Sequence, residues 1–254
     1  MKREVAAELD VEITAPTTLG FQIAVAPHPN TEVSGRLSFV LDGNLVQPLE
    51  ISGAHCTRIH KLDVPLGNLA VNYAPTIVGR TDPAPVTEYD LSMYLRPSRY
   101  AEEESYMVLL QRNSEITSNS AALLYRAPAT RLTGRWRPCL PVPGYCRDFA
   151  HLVVALLRAV YVPARVVAVY APGLYPMDFH AVAEAFVEGQ WRVVDGTLLA
   201  PRQSLVRIAI GRDAADIAFL ANHKGAINPN KLEVTAVVDG DLARDSIDQL
   251  MSIG

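Results

Sequence analysis

The sequence predicts an α+β protein in which an N-terminal antiparallel β-sandwich precedes a helix packed on a second antiparallel sheet. Three observations support this class. Apolar and polar side chains alternate in short stretches over residues 1–95, apolar side chains recur every three or four positions from Phe149 to Val160, and alternation returns in residues 180–195. We therefore expect two domains, a β-sandwich over residues 1–95 and a second domain over residues 96–254.

The first domain is predicted from three alternating stretches, "LDVEITAPTTLGFQIAVAP", "GRLSFVLDG" and "GNLAVNYAPTIVG". Clusters rich in Asn, Pro and Gly, such as "PHPNTEVSG" and "LDGNL", are typical of turns between strands. Short strands with turns at intervals of about ten residues favour an antiparallel sandwich. The stretch "TDPAPVTEYDLSMYLRPSRY" is interpreted as the linker to the second domain.

The composition favours a folded protein with no strong attraction to polyanions. Hydrophobic residues make up 49% of the 254 residues, charged residues 20%, and the formal net charge is -4. These values are ordinary for a globular core and give no reason to expect nucleic-acid or membrane partners. Cys56, Cys139 and Cys146 are an odd number of cysteines in a chain too long for a disulfide scaffold, which favours a reducing compartment.

We therefore expect a cytoplasmic location. The N-terminal "MKREVAAELD" lacks the apolar segment of a signal peptide. The apolar stretch "HLVVALLRAVYVPARVVAVYAP" is interrupted by Arg158, Pro163 and Arg165, so it is not expected to span a membrane. Export by a route without a cleaved signal stays open, and the sequence does not indicate an oligomeric state.

The core of the second domain is predicted to begin with an amphipathic helix. In "CRDFAHLVVALLRAVY" the apolar residues have helical spacing, and Pro163 is expected to end the helix. "ARVVAVYAP" follows as a strand buried on both faces. "HAVAEAFVEGQWRVVDGT" is predicted to form a hairpin with a two-residue loop at Glu188-Gly189, and residues 231–239 are predicted to add a last strand.

Cys146 is the candidate nucleophile because it lies where this helix is predicted to begin, just after the turn-permitting Gly144. Unpaired backbone N–H groups and the positive end of the helix dipole at that position favour a thiolate and are able to stabilise an oxyanion. Arg147 would add to this effect, whereas Asp148 would oppose it. A buried, unreactive cysteine is the alternative, so the assignment depends on finding a base.

His180 and Asp195 supply such a base and its partner if the hairpin turns at Glu188-Gly189. Val187 then pairs with Gln190, and the register places the imidazole and the carboxylate on one face of the hairpin as diagonal neighbours. A slip of one residue would send them to opposite faces. The register therefore predicts that the carboxylate orients the imidazole, as a cysteine nucleophile requires.

Taken together, "GYCRDFAHLVVALLRAVYVPARVVAVY" and "FHAVAEAFVEGQWRVVDGT" resemble the transglutaminase-like superfamily, in the branch of bacterial proteins with papain-like cores. The resemblance is close over residues 144–200, and the strand-rich first half is similar to the β domain that commonly precedes this core. The matching motif positions are Cys146, Pro163, Arg165, His180-Ala181, Glu184, Trp191 and Asp195-Gly196-Thr197.

The resemblance implies that Cys146 is the nucleophile, His180 the general base and then acid, and Asp195 the residue that orients His180. It implies attack on the carbonyl of a peptide or isopeptide amide, a thioester intermediate, and transfer of the acyl group to water or an amine, with no cofactor and no metal. The expected partner is a peptide or protein substrate. Tyr145 and Trp191 are candidates for the wall of its cleft, although Trp191 is also explained as hairpin core.

Two departures from the family pattern keep a second function open. Val182 stands where many relatives have Trp, and residues 112–143 show no sustained apolar period and contain only Glu115 as an acid. The alternative is a non-catalytic binding or assembly module with a degenerate transglutaminase-like core.

The remaining candidates are expected to be structural. His55, Cys56 and His60 are close in sequence but lack a fourth zinc ligand, and His151 is expected to pack in its helix. The alternative for the cysteines is that Cys139 forms a disulfide or redox-sensing pair with Cys146, or a zinc site with Cys146 and His151.

Overall fold

The computed structural model describes residues 1–101, 145–246 and 248–253. Within these residues, fifteen strands form three sheets, and every strand pairing is antiparallel. Cys139, Gly144 and the atypical stretch 112–143 lie outside the described residues, so the interpretations that concern them stay predictions.

The first sheet is built around the long N-terminal strand. Its strands are β1 (Lys2–Ala15), β3 (Thr31–Ser34), β4 (Leu37–Leu41), β5 (Asn44–Val46), β8 (Gly67–Tyr73), β9 (Thr76–Gly79) and β15 (Ala226–Val238). Apolar side chains at every second position of β1, from Val5 to Ile13, are buried, while the intervening side chains are mostly exposed. This sheet therefore has one core face and one solvated face, as the alternation predicts.

The second sheet covers the core face of the first. Its strands are β2 (Thr17–Phe21), β6 (Leu49–Ser52), β7 (Arg58–Val64) and β14 (Leu220–His223). The rings of Phe21 in β2 and Phe39 in β4 lie 5.3 Å apart between their centroids, inside one buried cluster. The predicted antiparallel sandwich is therefore confirmed.

Three strand and helix assignments differ from the sequence-based expectation. Strand β3 lies inside the cluster "PHPNTEVSG", which was expected to be a turn. The C-terminal strand β15 forms where residues 231–239 predict a strand, but it pairs along the whole of β1, from Arg3–Val238 to Ala15–Ala226. The expected linker contains the helix α1 (Glu88–Met93), whose first turn is capped by the hydroxyl of Thr87.

The pairing of β15 with β1 has a physical reason. Local alternation indicates that a segment is extended, but long-range packing decides which strand it joins. Because β15 joins the sheet of β1, the first sheet contains residues from both ends of the described chain. The boundary between residues 95 and 96 stays a prediction.

The third sheet carries the predicted amphipathic helix. Its strands are β10 (Ala164–Tyr170), β11 (Phe179–Val187), β12 (Gln190–Val194) and β13 (Val206–Gly211), in the order β12-β11-β10-β13. The helix α2 (Cys146–Ala159) packs on it, against the small side chains of Ala181, Ala183 and Ala185. Every residue of β10 is buried, as predicted. A short helix, α3 (Ala214–Ile217), and the 3₁₀ turns Ala54–Cys56 and Arg202–Ser204 complete the described elements.

The end of α2 corrects the role predicted for Pro163. The helix ends at Ala159, and the backbone then reverses at Tyr161, whose φ is 61°. The N–H of Val162 donates to the carbonyl of Leu157 at 2.9 Å, which is the long hydrogen bond of a Schellman motif. This turn ends the helix before Pro163 is reached. Of the helices in the described ranges, none combines the length and apolar composition needed to cross a bilayer.

Candidate active site

The N-terminus of α2 presents Cys146 at the mouth of a cleft. Tyr145 is the N-cap in extended conformation, and the helix begins at Cys146, as predicted. The carboxylate of Asp148 accepts a hydrogen bond from the Tyr145 N–H at 2.9 Å, and the Asp148 N–H donates to the Tyr145 carbonyl at 2.9 Å. Asp148 therefore fixes the first turn of the helix, a role that the sequence analysis did not give it.

The hairpin that carries His180 and Asp195 has the predicted register. Val187 pairs with Gln190, and the loop residues Glu188 and Gly189 have φ values of 52° and 74°. Positive φ at both positions is the signature of a type I′ turn, which matches the twist of the two strands. The register continues to the open end of the hairpin, where β12 stops at Val194 and the carboxylate follows directly.

At this open end the imidazole and the carboxylate meet. His180 Nε2 lies 3.1 Å from Asp195 Oδ2, and both side chains are buried. The other carboxylate oxygen, Oδ1, accepts hydrogen bonds from the N–H of Thr197 at 2.8 Å and from its hydroxyl at 2.7 Å. With each oxygen bound to a different partner, the carboxylate is held in one orientation toward the ring.

Gly196 brings this end of the hairpin against α2. A Cβ placed on Gly196 would lie 3.3 Å from Val153 Cγ2 and 3.5 Å from Phe149 Cβ, so a larger residue here would require Val153 to shift by a few tenths of an ångström. Phe149 is one turn along the helix from Cys146. The close contact therefore brings the end of the hairpin that carries Asp195 near the first turns of α2.

The charges around His180 favour its protonated form. Burial by itself lowers the pKa of His180, but the interactions with Asp195 and with the thiol of Cys146 outweigh it and raise the pKa to about 9. Burial also opposes ionisation of Asp195, yet its interactions with His180 and Thr197 hold the pKa of this carboxyl below its ordinary value. His180 Nδ1 is buried and has no hydrogen-bond partner within the described ranges. Since Nε2 contacts Asp195, Nδ1 is the ring nitrogen available to interact with the thiol of Cys146.

Cys146 and His180 both line a cleft with a volume of about 410 Å³. Tyr145 also lines it and is 77% exposed, so its ring lies at the mouth. Of the two predicted wall residues, Tyr145 is therefore in place. Gln22 and Phe219, which the sequence analysis did not single out, line the same cleft from distant parts of the chain.

Trp191 does not line this cleft, and its predicted role as a cleft wall is wrong for the described part of the structure. The side chain is 0% exposed and packs edge-on against Tyr94, while the guanidinium of Arg165 lies 4.0 Å from its ring centroid. The reason is its distance from the open end of the hairpin. Trp191 is four residues from Asp195, about 13 Å along an extended strand.

Two other motif positions form a buried ion cluster under the sheet. Arg165 lies opposite Glu184 in adjacent strands, with 2.6 Å between Nη2 and the carboxylate, and Arg207 of β13 approaches the other oxygen at 2.7 Å. Burial alone would raise the pKa of Glu184, but the two guanidinium groups hold it below its ordinary value. These residues fix three neighbouring strands and do not line the cleft.

Three other histidines have structural partners. His151 Nε2 accepts a hydrogen bond from the Ala214 N–H at 2.9 Å, in agreement with the packing role expected for it. His55 contacts Asp90, and His60 contacts Glu50. In the ranges that the structure describes, no cluster of three or more His, Cys, Asp or Glu side chains is arranged to hold a metal ion.

The fold and the cleft define a class of α+β protein in which cysteine, histidine and aspartate meet where a helix begins beside an antiparallel sheet. Comparison with known families gives this class its name. Residues 100–196 match the model of the transglutaminase-like superfamily. The matched segment is similar to that superfamily, and it includes all three side chains.

The fold of the whole chain is also similar to a solved structure. A candidate cysteine protease from Cytophaga hutchinsonii matches 98% of this chain and 96% of its own, with a TM-score of 0.78 and 26% sequence identity. The periplasmic domain of TgpA from Pseudomonas aeruginosa, bound to ethylmercury, matches 76% of this chain and 90% of its own at 17% identity. Its TM-score of 0.34 is too low to support a statement about this chain. No curated protein is significantly similar to the chain.

Proposed function

We propose that this chain is a cysteine-dependent hydrolase of peptide or isopeptide amide bonds, with Cys146 as the nucleophile. His180 acts as general acid and base, and Asp195 orients it. The observation that carries the proposal is the 3.1 Å contact between His180 Nε2 and Asp195 Oδ2, which leaves the opposite ring nitrogen for the thiol. The similarity to a candidate cysteine protease over nearly the whole chain also supports it.

The first half of the reaction would form a thioester. The Cys146 thiolate attacks the carbonyl carbon of the amide, and the carbonyl oxygen becomes an oxyanion near the backbone N–H groups at the start of α2. The C–N bond then breaks. The imidazolium of His180 gives its proton to the departing amine, and Asp195 holds the ring in the required orientation throughout.

The second half would release the acyl group. Neutral His180 removes a proton from a water molecule, and the resulting hydroxide attacks the thioester carbonyl. The C–S bond breaks, the carboxylic acid leaves, and the thiolate and imidazolium are restored. Hydrolysis is preferred over transfer to an amine because water is always present, whereas no amine-binding feature is recognised in the described cleft. None of these steps requires a cofactor.

The partner would be a peptide or protein, and the place of action the cytoplasm. The open cleft beside the thiol supports a peptide substrate, and the free thiols support a reducing compartment. The alternative, a non-catalytic assembly module, depends on residues 112–143. These lie outside the described ranges, so no structural observation favours it.

The test is to trap the thioester by mass spectrometry. Incubation with p-nitrophenyl acetate and with a library of peptide esters should add an acyl group to the peptide that contains Cys146. The variant Cys146→Ala should lose the adduct, whereas Cys56→Ala, which removes an exposed thiol, should keep it. Absence of any adduct on Cys146 across all donors would overturn the proposal.

A further inference from the structure

The cleft beside Cys146 has a floor of small side chains. Ala168 of β10 and Ala181 of β11 lie directly opposite each other in the third sheet, and both line the cleft. Two neighbouring alanines leave space where larger side chains would fill the groove. Since Ala181 is also the next residue after His180, this space lies immediately beside the proposed reaction centre.

The wall of the cleft is aromatic and aliphatic. The rings of Phe179 and Phe219 stack with 5.0 Å between their centroids, and the ring of Tyr170 is tilted against Phe179 at 5.5 Å. Ile217 and Leu220 extend this apolar surface. The wall is a packed unit, so it presents a preformed apolar surface to any group that enters.

Charged side chains lie at the rim of the described cleft. Arg147 has an exposed side chain, and Asp178 is exposed with its carboxylate accepting a hydrogen bond from the Phe179 N–H at 2.7 Å. A charged substrate group placed deep between Ala168 and Phe219 would therefore lose water, and His180, the buried charged group in the lining, is already paired with Asp195.

One buried polar group faces the cleft without a partner. Gln22 is 8% exposed, and its side-chain oxygen Oε1 is buried without a hydrogen-bond partner among the described residues. Its backbone N–H donates to the Phe219 carbonyl at 3.0 Å, which fixes Gln22 beside the apolar wall. A buried amide without a partner is unfavourable, so a ligand that supplies the missing partner gains affinity.

We propose that this cleft binds a large apolar side chain of the acyl donor, while the Gln22 amide hydrogen-bonds to the donor's backbone. The preferred substrate is therefore a peptide with an aromatic or branched aliphatic residue at the carbonyl that Cys146 attacks, not a glutamine, a glycine or a charged residue. This inference rests on the proposed function, because the side chain is placed by the acyl group at the thiol. Gln22 is a positioning residue in this account.

The experiment compares acylation by N-acetyl amino acid methyl esters of Phe, Leu, Gln, Lys and Glu. In each case the thiolate forms a C–S bond, the C–O bond to the methoxy group breaks, and His180 protonates the departing methoxide, which leaves as methanol. Acylation of Cys146 by Phe and Leu esters should be faster than by the other three esters by about tenfold or more. Acylation by p-nitrophenyl acetate is the reference, because its acetyl group has no side chain to place in the cleft.

Variants of two cleft residues distinguish the role of the apolar wall from the role of Gln22. Phe219→Asp should abolish the preference for Phe and Leu, whereas Phe219→Leu and the surface control Leu49→Asp should keep it. Gln22→Leu should slow all the amino acid esters by about tenfold, mainly through KM, without changing their order.

The outcomes distinguish this inference from the proposed function. Equal rates for all five amino acid esters, with normal acetylation of Cys146 by p-nitrophenyl acetate, would overturn the apolar specificity and leave the hydrolase standing. An unchanged preference in a folded Phe219→Asp variant would overturn it as well. Absence of acylation by every donor would instead overturn the proposed function itself.

Discussion

His180 and Asp195 lie 15 positions apart in sequence, yet Nε2 of one side chain is 3.1 Å from Oδ2 of the other. A two-residue type I′ turn produces this contact, because it sets the register of the hairpin from its closed end to its open end. The orientation of the proposed base therefore depends on a backbone feature that lies far from the thiol.

Replacing the carboxylate should slow acylation without unfolding the protein. In Asp195→Asn the amide keeps the size of the side chain but removes the negative charge that supports the imidazolium. We expect the rate of acylation of Cys146 to fall by about 10² to 10⁴. Stopped-flow measurement with p-nitrophenyl acetate checks this, and Asp241→Asn on the surface is the matched control. A rate within twofold of the parent protein would contradict the role of Asp195.

His180 should make stability depend on pH in the alkaline range. Its pKa rises from 6.5 to about 9 on folding, so its contribution is complete below pH 6.5 and is lost as the pH rises toward 9. The free energy of unfolding of the parent protein, relative to His180→Gln, should decrease by on the order of 3 kcal/mol over this range. Urea unfolding at pH 6 and pH 9.5 measures the difference.

The same measurement in Cys146→Ala gives an internal control. The thiol is one of the groups that raise the pKa of His180. Without it, the loss of stability should be complete at a lower pH and smaller in total. A pH dependence identical in the presence and absence of the thiol would show that the two side chains do not interact.

Removal of the carboxylate from the buried ion cluster should destabilise the fold. In Glu184→Gln the guanidinium groups of Arg165 and Arg207 would lose the negative charge that lies between them. We expect the free energy of unfolding to fall by about 3–5 kcal/mol. Glu233→Gln, on the exposed edge of β15, should change it by less than about 0.5 kcal/mol. Equal effects of the two substitutions would refute the structural role of the cluster.

The hairpin turn offers a test of the register. Gly189 has a φ of 74°, which a β-branched residue adopts only at a cost of about 1–2 kcal/mol. Gly189→Val should therefore lower the melting temperature and also slow acylation of Cys146, because His180 and Asp195 depend on this register. Glu188→Asn, at the other positive-φ position, should be neutral or stabilising. Normal acylation of Cys146 by a destabilised Gly189→Val variant would show that the site does not depend on this turn.

The parts of the site that could be predicted are local in sequence. The start of α2 at Cys146 and the loop at Glu188-Gly189 follow from helical spacing and turn chemistry within about twenty residues. Once the loop is fixed, the positions of His180 and Asp195 follow from the two-residue period of the strands.

The rest of the cleft depends on contacts between distant segments. Gln22 follows the second strand and Phe219 precedes β14, and no local pattern indicates that they face the same cleft. Arg207 is a similar case, since its partner Glu184 lies in a strand that does not pair with β13. The pairing of β15 with β1 likewise reflects tertiary packing, because alternation identifies a strand but not its neighbour.

The central claim is that His180 activates Cys146, and the rate of alkylation by iodoacetamide at about pH 6 tests it most directly. Peptide mass spectrometry can follow Cys146 and the exposed Cys56 in the same sample. The account predicts that Cys146 reacts faster than Cys56 in the parent protein and loses this advantage in His180→Ala. Equal rates for the two cysteines in the parent protein, or an unchanged advantage of Cys146 in His180→Ala, would contradict it.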